Sequence, residues 1–161
     1  MAGSPAVSRL IVVALVRPAI AGDGGVVWGI DARASEFPWS PGQIQQSIDA
    51  DNERNQALVI EIEAVVVGFV FFNLVLDEGN IHNIAVDPDH QRRGLASTLL
   101  SEAVRQMRDL GVKRCFLDVR RSNNAALAFY TGLGFNIEGE RRNYYRACVG
   151  REDALLMSKI L

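Results

Sequence analysis

At Gly94 the hydrophobic pattern of this chain changes period, and that change restricts its fold more than any other feature. Before it come apolar runs of strand length, over residues 57–62, 65–75 and 81–86. After it Leu95, Leu99, Ala103, Met107 and Leu110 recur at helical spacing until Gly111 supplies a stop. A strongly apolar strand thus turns through one glycine into the longest amphipathic helix. Upstream, residues 10–16 (LIVVALV) suit a first strand buried on both faces better than a signal peptide, because Arg17 and Pro18 interrupt the apolar run. Gly22, Asp23, Gly24 and Gly25 suit a turn before a short helix over residues 26–34. Ser40 is placed to cap a second helix that opens at Pro41 and runs to about Ala50. Strands are expected over 115–119, 135–140 and 154–160, with a helix over 125–133. The order β-α-α-β-β-β-α-β-α-β-β implies an α/β or α+β sheet covered by helices.

The length of 161 residues fits a single domain, read as spanning 1–161. With 48% hydrophobic residues the chain can bury an ordinary core. Its net charge of −2 conceals a division. Residues 1–90 carry 4 Arg against 12 Asp and Glu, a balance of −8, whereas residues 91–161 carry 11 Arg and 2 Lys against 7 Asp and Glu, a balance of +6. Such asymmetry suits two partners of opposite charge. No aromatic-basic run marks a nucleic-acid platform, so a small polyanion is the expected partner of the basic half. No apolar run approaches the ~20 residues that span a membrane, and the chain reads as cytoplasmic. Two cysteines, Cys115 and Cys148, with His82 and His90 make neither a disulfide framework nor a metal signature. No metal is expected.

The stretch IAVDPDHQRRGLAS, residues 84–97, carries the most chemistry. A turn between strand and helix puts free backbone N–H groups at a helix N-terminus, where they and the helix dipole attract phosphate. Gly94 permits close approach of a ligand, the small Ala96 avoids crowding it, and Arg92 and Arg93 add positive charge. Neither a nucleoside-triphosphate loop nor a dinucleotide fingerprint is present. Taken alone, the same residues also suit a solvated turn that starts a helix.

Residues 91–96, QRRGLA, resemble the Q/R-x-x-G-x-G/A signature of the GNAT superfamily of N-acetyltransferases, with Ala96 in place of the commoner glycine. The resemblance extends over nearly the whole chain. Within the superfamily it is strongest to the RimI-type ribosomal-protein alanine N-terminal acetyltransferases, through FPWS (37–40), LDE (76–78), NIAVDPDHQRRGLA (83–96), LDVRRSN (117–123), YTGLGF (130–135), RRNYY (141–145) and GREDALLM (150–157). It implies a mixed, mostly antiparallel sheet splayed at the cofactor strand and flanked by helices. It further implies acetyl-CoA as co-substrate, the N-terminal peptide of a protein beginning with Ala or Ser, such as a small-subunit ribosomal protein, as acceptor, and direct transfer in a ternary complex.

By the same resemblance Ile84, Ala85 and Val86 bond the pantetheine arm and acetyl group, with the Val86 amide as oxyanion donor. Arg92, Arg93, Gly94, Leu95, Ala96 and Ser97 hold the pyrophosphate, and Asn123 binds near the pantetheine end. The base position falls on Asp118, where relatives usually carry glutamate, and the acid position on Tyr130. Aspartate is shorter by one methylene, about 1.5 Å of reach, which one ordered water could span. Phe37, Pro38 and Trp39 line one wall of a peptide groove, and Arg141, Arg142, Asn143, Tyr144 and Tyr145 the other, with Arg142 and Tyr144 as its candidate contacts. Glu78 is a rival carboxylate near the acceptor mouth.

Other readings of these residues stand beside those. Asp118 could be a strand-end carboxylate paired with Arg120 or Arg121 or bonded to the Ser122–Asn123 turn. Tyr130 could be a core aromatic, residues 141–145 a solvated hairpin loop, and His82 a structural residue. The acceptor could be a small amine or a lysine side chain, or the chain a coenzyme-binding module without turnover.

Overall fold

A computed structural model of the chain describes residues 12–50 and 54–161. Its elements are β1 (Ala14–Pro18), α1 (Gly24–Ala34), α2 (Pro41–Asp49), β2 (Asn55–Ile62), β3 (Val65–Val75), β4 (Glu78–Val86), α3 (Leu95–Asp109), β5 (Arg114–Arg120), α4 (Asn124–Gly132), β6 (Asn136–Arg146) and β7 (Arg151–Ile160). The strands form one sheet in the order β1-β2-β3-β4-β5-β7-β6. All neighbours are antiparallel except β4 and β5. No helix among the described residues is long and apolar enough to cross a membrane.

Helices cover both faces, which is why β3 is apolar along its length apart from Asn73. Phe69 and Phe71 join Val59 beneath α1 and α2, where Val27, Ile30, Ile44 and Ile48 meet them. Val70 and Phe72 point the other way, into a larger core with Leu99, Leu100, Ala103, Val104 and Met107 of α3. Alternation along one strand therefore builds two cores. Gly79 lies under α3, where a β-carbon would fall 2.6 Å from the sulfur of Met107, so any larger residue would have to push that side chain aside.

The local signals act as their chemistry dictates. Ser40 accepts from the Gln43 N–H at 3.1 Å while the Gln43 side chain accepts from the Ser40 N–H at 2.9 Å, a reciprocal cap with Pro41 in the first turn. Gly111, at φ +82°, ends the segment after α3.

Four expectations are corrected. The first strand is Ala14–Pro18; residues 10 and 11 lie outside the described residues. It sits at a sheet edge, paired only with β2, so Val12, Val13 and Leu15 are more than half exposed and no second face is buried. The helix before Ala34 begins at Gly24, not at residue 26, with Asp23 at its N-cap, and Gly24 packs against the Gln45 side chain. Leu110 lies past the last turn of α3 and is 61% exposed. Residues 141–145 belong to β6, which continues through a register shift between Arg141 and Tyr145 with Asn143 at φ +52°.

The exposed edge is held by ions. Arg17 on β1 donates to Asp23 at 2.8 and 3.0 Å and to Glu61 on β2 at 2.5 Å, and Asp23 also accepts the Ile20 N–H. The Arg17 guanidinium, with help from that N–H and against burial, holds the Asp23 carboxyl below the usual carboxylate range. A folded-state value below the unfolded one means the stabilisation is full above the unfolded value of about 3.9 and is lost as pH falls through the lower folded value. Asp23→Asn is therefore expected to cost roughly 1–3 kcal/mol at neutral pH. It should also remove part of the acid-induced decline of Tm, read by thermal melts between pH 7 and pH 2; a parallel decline in wild type and variant would count against the pair.

Candidate active site

The site forms where two strands part. Strands β4 and β5 pair in parallel only from Glu78–Arg114 to Ile81–Leu117. Beyond that, residues 82–86 stay with β3 and residues 118–120 stay with β7, so the sheet opens into a V. The parting coincides with a bulge. Phe71 faces Asn83 and Phe72 faces Ile81, which leaves His82 as the extra residue on β4. The bulge breaks alternation, so His82 faces a cleft with Trp39 while its neighbour Asn83 reaches Asp31 of α1 at 3.3 Å.

Strand β4 presents free backbone groups to the V. Gly68 and Val86 are opposed with the Asp87 N–H bonded to the Val67 carbonyl at 2.8 Å, which makes them a non-hydrogen-bonded pair. The Val86 N–H and carbonyl therefore point away from β3, as do those of Ile84 two residues earlier. The Val86 carbonyl takes the Gln91 side chain at 3.1 Å, tying the following loop to the strand end.

That loop opens a trough of about 600 Å³ lined by Ile84, Ala85, Val86, Gln91, Arg92, Gly94, Leu95, Ala96, Ser97, Asn123, Phe129 and Tyr130, among others. Gly94 stands at φ +76° as N-cap of α3 and brings no side chain to the first-turn N–H groups. A β-carbon there would meet nothing within 4 Å, so the space above these donors is open. Free donors, a helix N-terminus and Arg92 suit a phosphate, and the apolar floor of Phe129 and alanines suits an uncharged arm. The residues present fit coenzyme A. Arg93 is exposed and stands outside the trough lining. Asn123 faces it, but its side chain also caps α4 by accepting from the Ala126 N–H at 3.1 Å.

A second cleft, of about 580 Å³, lies on the other side of the V. Phe37, Trp39, His82, Asp118, Arg120 and Tyr145 wall it, with Asp31 and Glu36 from the α1 side. Arg120 organises one wall. Its guanidinium lies 4.2 Å from the Phe37 ring centre and 4.4 Å from that of Tyr145, and it pairs with Glu152 at 3.1 Å. Cys148 reaches Glu36 at 3.4 Å, joining the β6–β7 connection to the segment after α1. Burial, then the Asp118 charge, pushes the Tyr145 phenol up to about 12.

The two clefts share Ala34, Ile84, Ala85, Asn123, Ala126 and Tyr130. Tyr130 is 8% exposed and packs edge-on against Phe129 and Phe135, yet its hydroxyl bonds no described residue. Burial raises this phenol well above its ordinary value, so it stays protonated at neutral pH.

Asp118 lies on the acceptor side, where its Oδ1 takes the Arg141 guanidinium at 3.0 Å. It pairs with neither Arg120 nor Arg121, which bind Glu152 and Glu140, and the Ser122 N–H goes to Glu152. Glu78 and Tyr144 share a side groove with Asp118, His82 and Arg141. Arg142 lines none of these clefts. Sequence reasoning missed Asp31 and Arg120 as cleft residues. It put the whole string RRNYY on one wall of the groove, and only the register shift in β6 decides which tyrosine turns inward.

A splayed sheet with free β4 amides, a phosphate-ready helix start and an adjoining acceptor cleft define an acyltransferase fed by a coenzyme A thioester. The chain belongs to the acetyltransferase (GNAT) family, whose model matches residues 27–135, and acetyltransferases of this family use acetyl-CoA. It is 42% identical over 131 residues to the ribosomal protein bS18-alanine N-acetyltransferase of Salmonella typhimurium, covering 81% of this chain and 86% of that one. The Bacillus subtilis protein described as putative for the same activity is 32% identical over 131 residues, covering 81% and 85%. The crystal structure of the Escherichia coli ribosomal-protein-S18-alanine N-acetyltransferase superposes with a TM-score of 0.84 at 36% identity, covering 92% and 94%. The N-acetyltransferase activity, the mixed sheet flanked by helices and the family resemblance are thus in agreement.

Proposed function

We propose that this N-acetyltransferase acetylates the α-amine of a protein that begins with Ala or Ser, the acceptor being a small-subunit ribosomal protein met in the cytoplasm. The observation that carries the reading is the meeting of a coenzyme trough and a peptide-sized aromatic cleft at Tyr130. The names of the relatives support the ribosomal acceptor. Phe37, Trp39 and Tyr145 offer flat apolar walls for a short extended peptide, and the carboxylates of Asp31, Glu36 and Asp118 suit a cationic amine. Glu78 and Tyr144 in the side groove would contact residues further along the acceptor.

Each group then has a task. The first-turn amides of α3 with Arg92 hold the pyrophosphate, and the outward amides of Ile84 and Val86 bond the pantetheine arm. The Val86 N–H is aimed to receive charge that develops on the thioester oxygen; such preorganised donors contribute a large share of catalysis. The Tyr130 phenol, kept protonated by burial, donates to the departing sulfur. Asp118, bound to Arg141, supplies negative potential beside the amine.

Purified protein incubated with acetyl-CoA and peptides starting with Ala, Ser or Met, with released thiol as readout, tests the assignment. Thiol release with the Ala and Ser peptides is expected, with Met-initiated peptides at least tenfold poorer (about 1.4 kcal/mol). Release with polyamines or internal lysines alone would overturn it.

A further inference from the structure

We propose that His82, the bulge residue of β4, is the base that takes the proton from the acceptor amine, with the Asp118 charge facing it across the V. The inference rests on the acetyltransferase reading above. Its geometry begins with the bulge, which turns His82 out of the β3–β4 alternation and onto the acceptor cleft. There it stands on one arm of the V with Asp118 on the other, at the point where the two strands stop pairing. Neither ring nitrogen of His82 bonds any described residue, so one is free to accept. Asp118 is the weaker candidate because its Oδ1 already accepts from the Arg141 guanidinium at 3.0 Å.

The surroundings of His82 are mixed in sign. The carboxylates that share its clefts are Asp31 and Glu36 from the α1 side, Glu78 on its own strand and Asp118 on β5. The cations are Arg120 and Arg141, both already paired with acids. Tyr130 of α4 and Tyr144 and Tyr145 of β6 complete the titratable set. Partial desolvation where His82 meets the clefts lowers the imidazole below its ordinary value, while the Asp118 charge opposes that shift.

The step balances. The α-ammonium gives one proton to the free imidazole nitrogen, and the resulting amine attacks the thioester carbonyl carbon to form the C–N bond. The carbonyl π pair moves to oxygen and then returns to re-form C=O as the C–S bond breaks; the sulfur leaves with the C–S bonding pair and takes the Tyr130 proton. The acetylated nitrogen sheds its second proton, which restores the phenol, and the imidazolium releases its proton to solvent.

The test compares His82→Gln and His82→Ala with wild type across pH 5.5–9.5, using whichever amine the wild-type enzyme accepts. At pH 7, kcat is expected to fall about 100-fold, and the deficit should narrow above about pH 8, where an α-amine deprotonates unaided. Imidazole added to His82→Ala should restore part of the rate. Coenzyme A affinity, measured by calorimetry, should be unchanged in both variants. Independently of turnover, the ring-proton NMR signal of His82, one of two histidines, should titrate below ordinary imidazole, and Asp118→Asn should move that midpoint further down. A loss equal at every pH without imidazole rescue, or an acid limb that ignores the substitution of His82, would overturn the proposal. Failure of wild type to use any peptide N-terminus counts against the acceptor assignment instead, since the limb and the NMR titration do not depend on which amine is used.

Discussion

Replacing Tyr130 by phenylalanine is expected to lower kcat by roughly 100-fold or more while the affinity for coenzyme A changes by no more than about twofold, because on the proposed function only the proton donated to the departing sulfur is removed. The ring contributes most of the packing at this position, edge-on to Phe129 and Phe135, and phenylalanine keeps it. The hydroxyl bonds no described residue, so its removal leaves no buried partner unsatisfied. Burial, aided by Tyr145 and Cys115, keeps the phenol protonated. The wild-type rate should therefore show no alkaline decline from Tyr130 up to about pH 10. Steady-state kinetics and calorimetric binding of coenzyme A on the same preparations check this. Equal losses in turnover and binding would show the hydroxyl to be structural.

The second large effect concerns Gly94. Gly94→Val places a β-branched residue at φ +76°, a region that costs roughly 1–2 kcal/mol for side chains with a β-carbon. Space is not the obstacle, since nothing lies within 4 Å of the added carbon. The loss arises because relaxing out of the left-handed region re-aims the first-turn amides of α3, and because the new side chain stands over them. Coenzyme A should bind about 10- to 100-fold more weakly, or about 1.4–2.8 kcal/mol. Pantetheine, which lacks the phosphates, should bind as before. Equal weakening of both ligands would place the pyrophosphate elsewhere.

The fold was legible wherever its cause is local. The switch of period at Gly94, the Ser40–Gln43 cap and the Gly111 stop are each decided by residues a few positions apart, and all three lie where the sequence puts them. The first strand was misjudged for the opposite reason. LIVVALV is apolar enough for a central strand, but burial depends on how many neighbours the strand acquires, and β1 acquires one. Likewise RRNYY is polar enough for a loop, and only its ladder with β7 makes it strand.

The candidate site divides in the same way. The phosphate loop lies in one continuous stretch, and six of the seven residues from Gln91 to Ser97 line the trough, Arg93 alone turning away. The acceptor side is assembled from four separate regions. The charge division is partly reflected there: Asp31, Glu36 and Glu78 of the acidic half line the acceptor cleft and its side groove. Asp118, from the basic half, stands among them.

By itself the sequence determined the elements, their order, the family and the loop that suits a phosphate, because helix caps, hydrophobic period and turn glycines act through bonds between near neighbours. Only the tertiary structure decided that β4 and β5 part after Ile81, that His82 is the residue left unpaired there, that Arg141 takes the Asp118 carboxylate and that Arg120 lies between Phe37 and Tyr145. Each of these joins residues far apart in the chain, and register, bulges and ion pairing at such separations are fixed by the packing of the whole sheet.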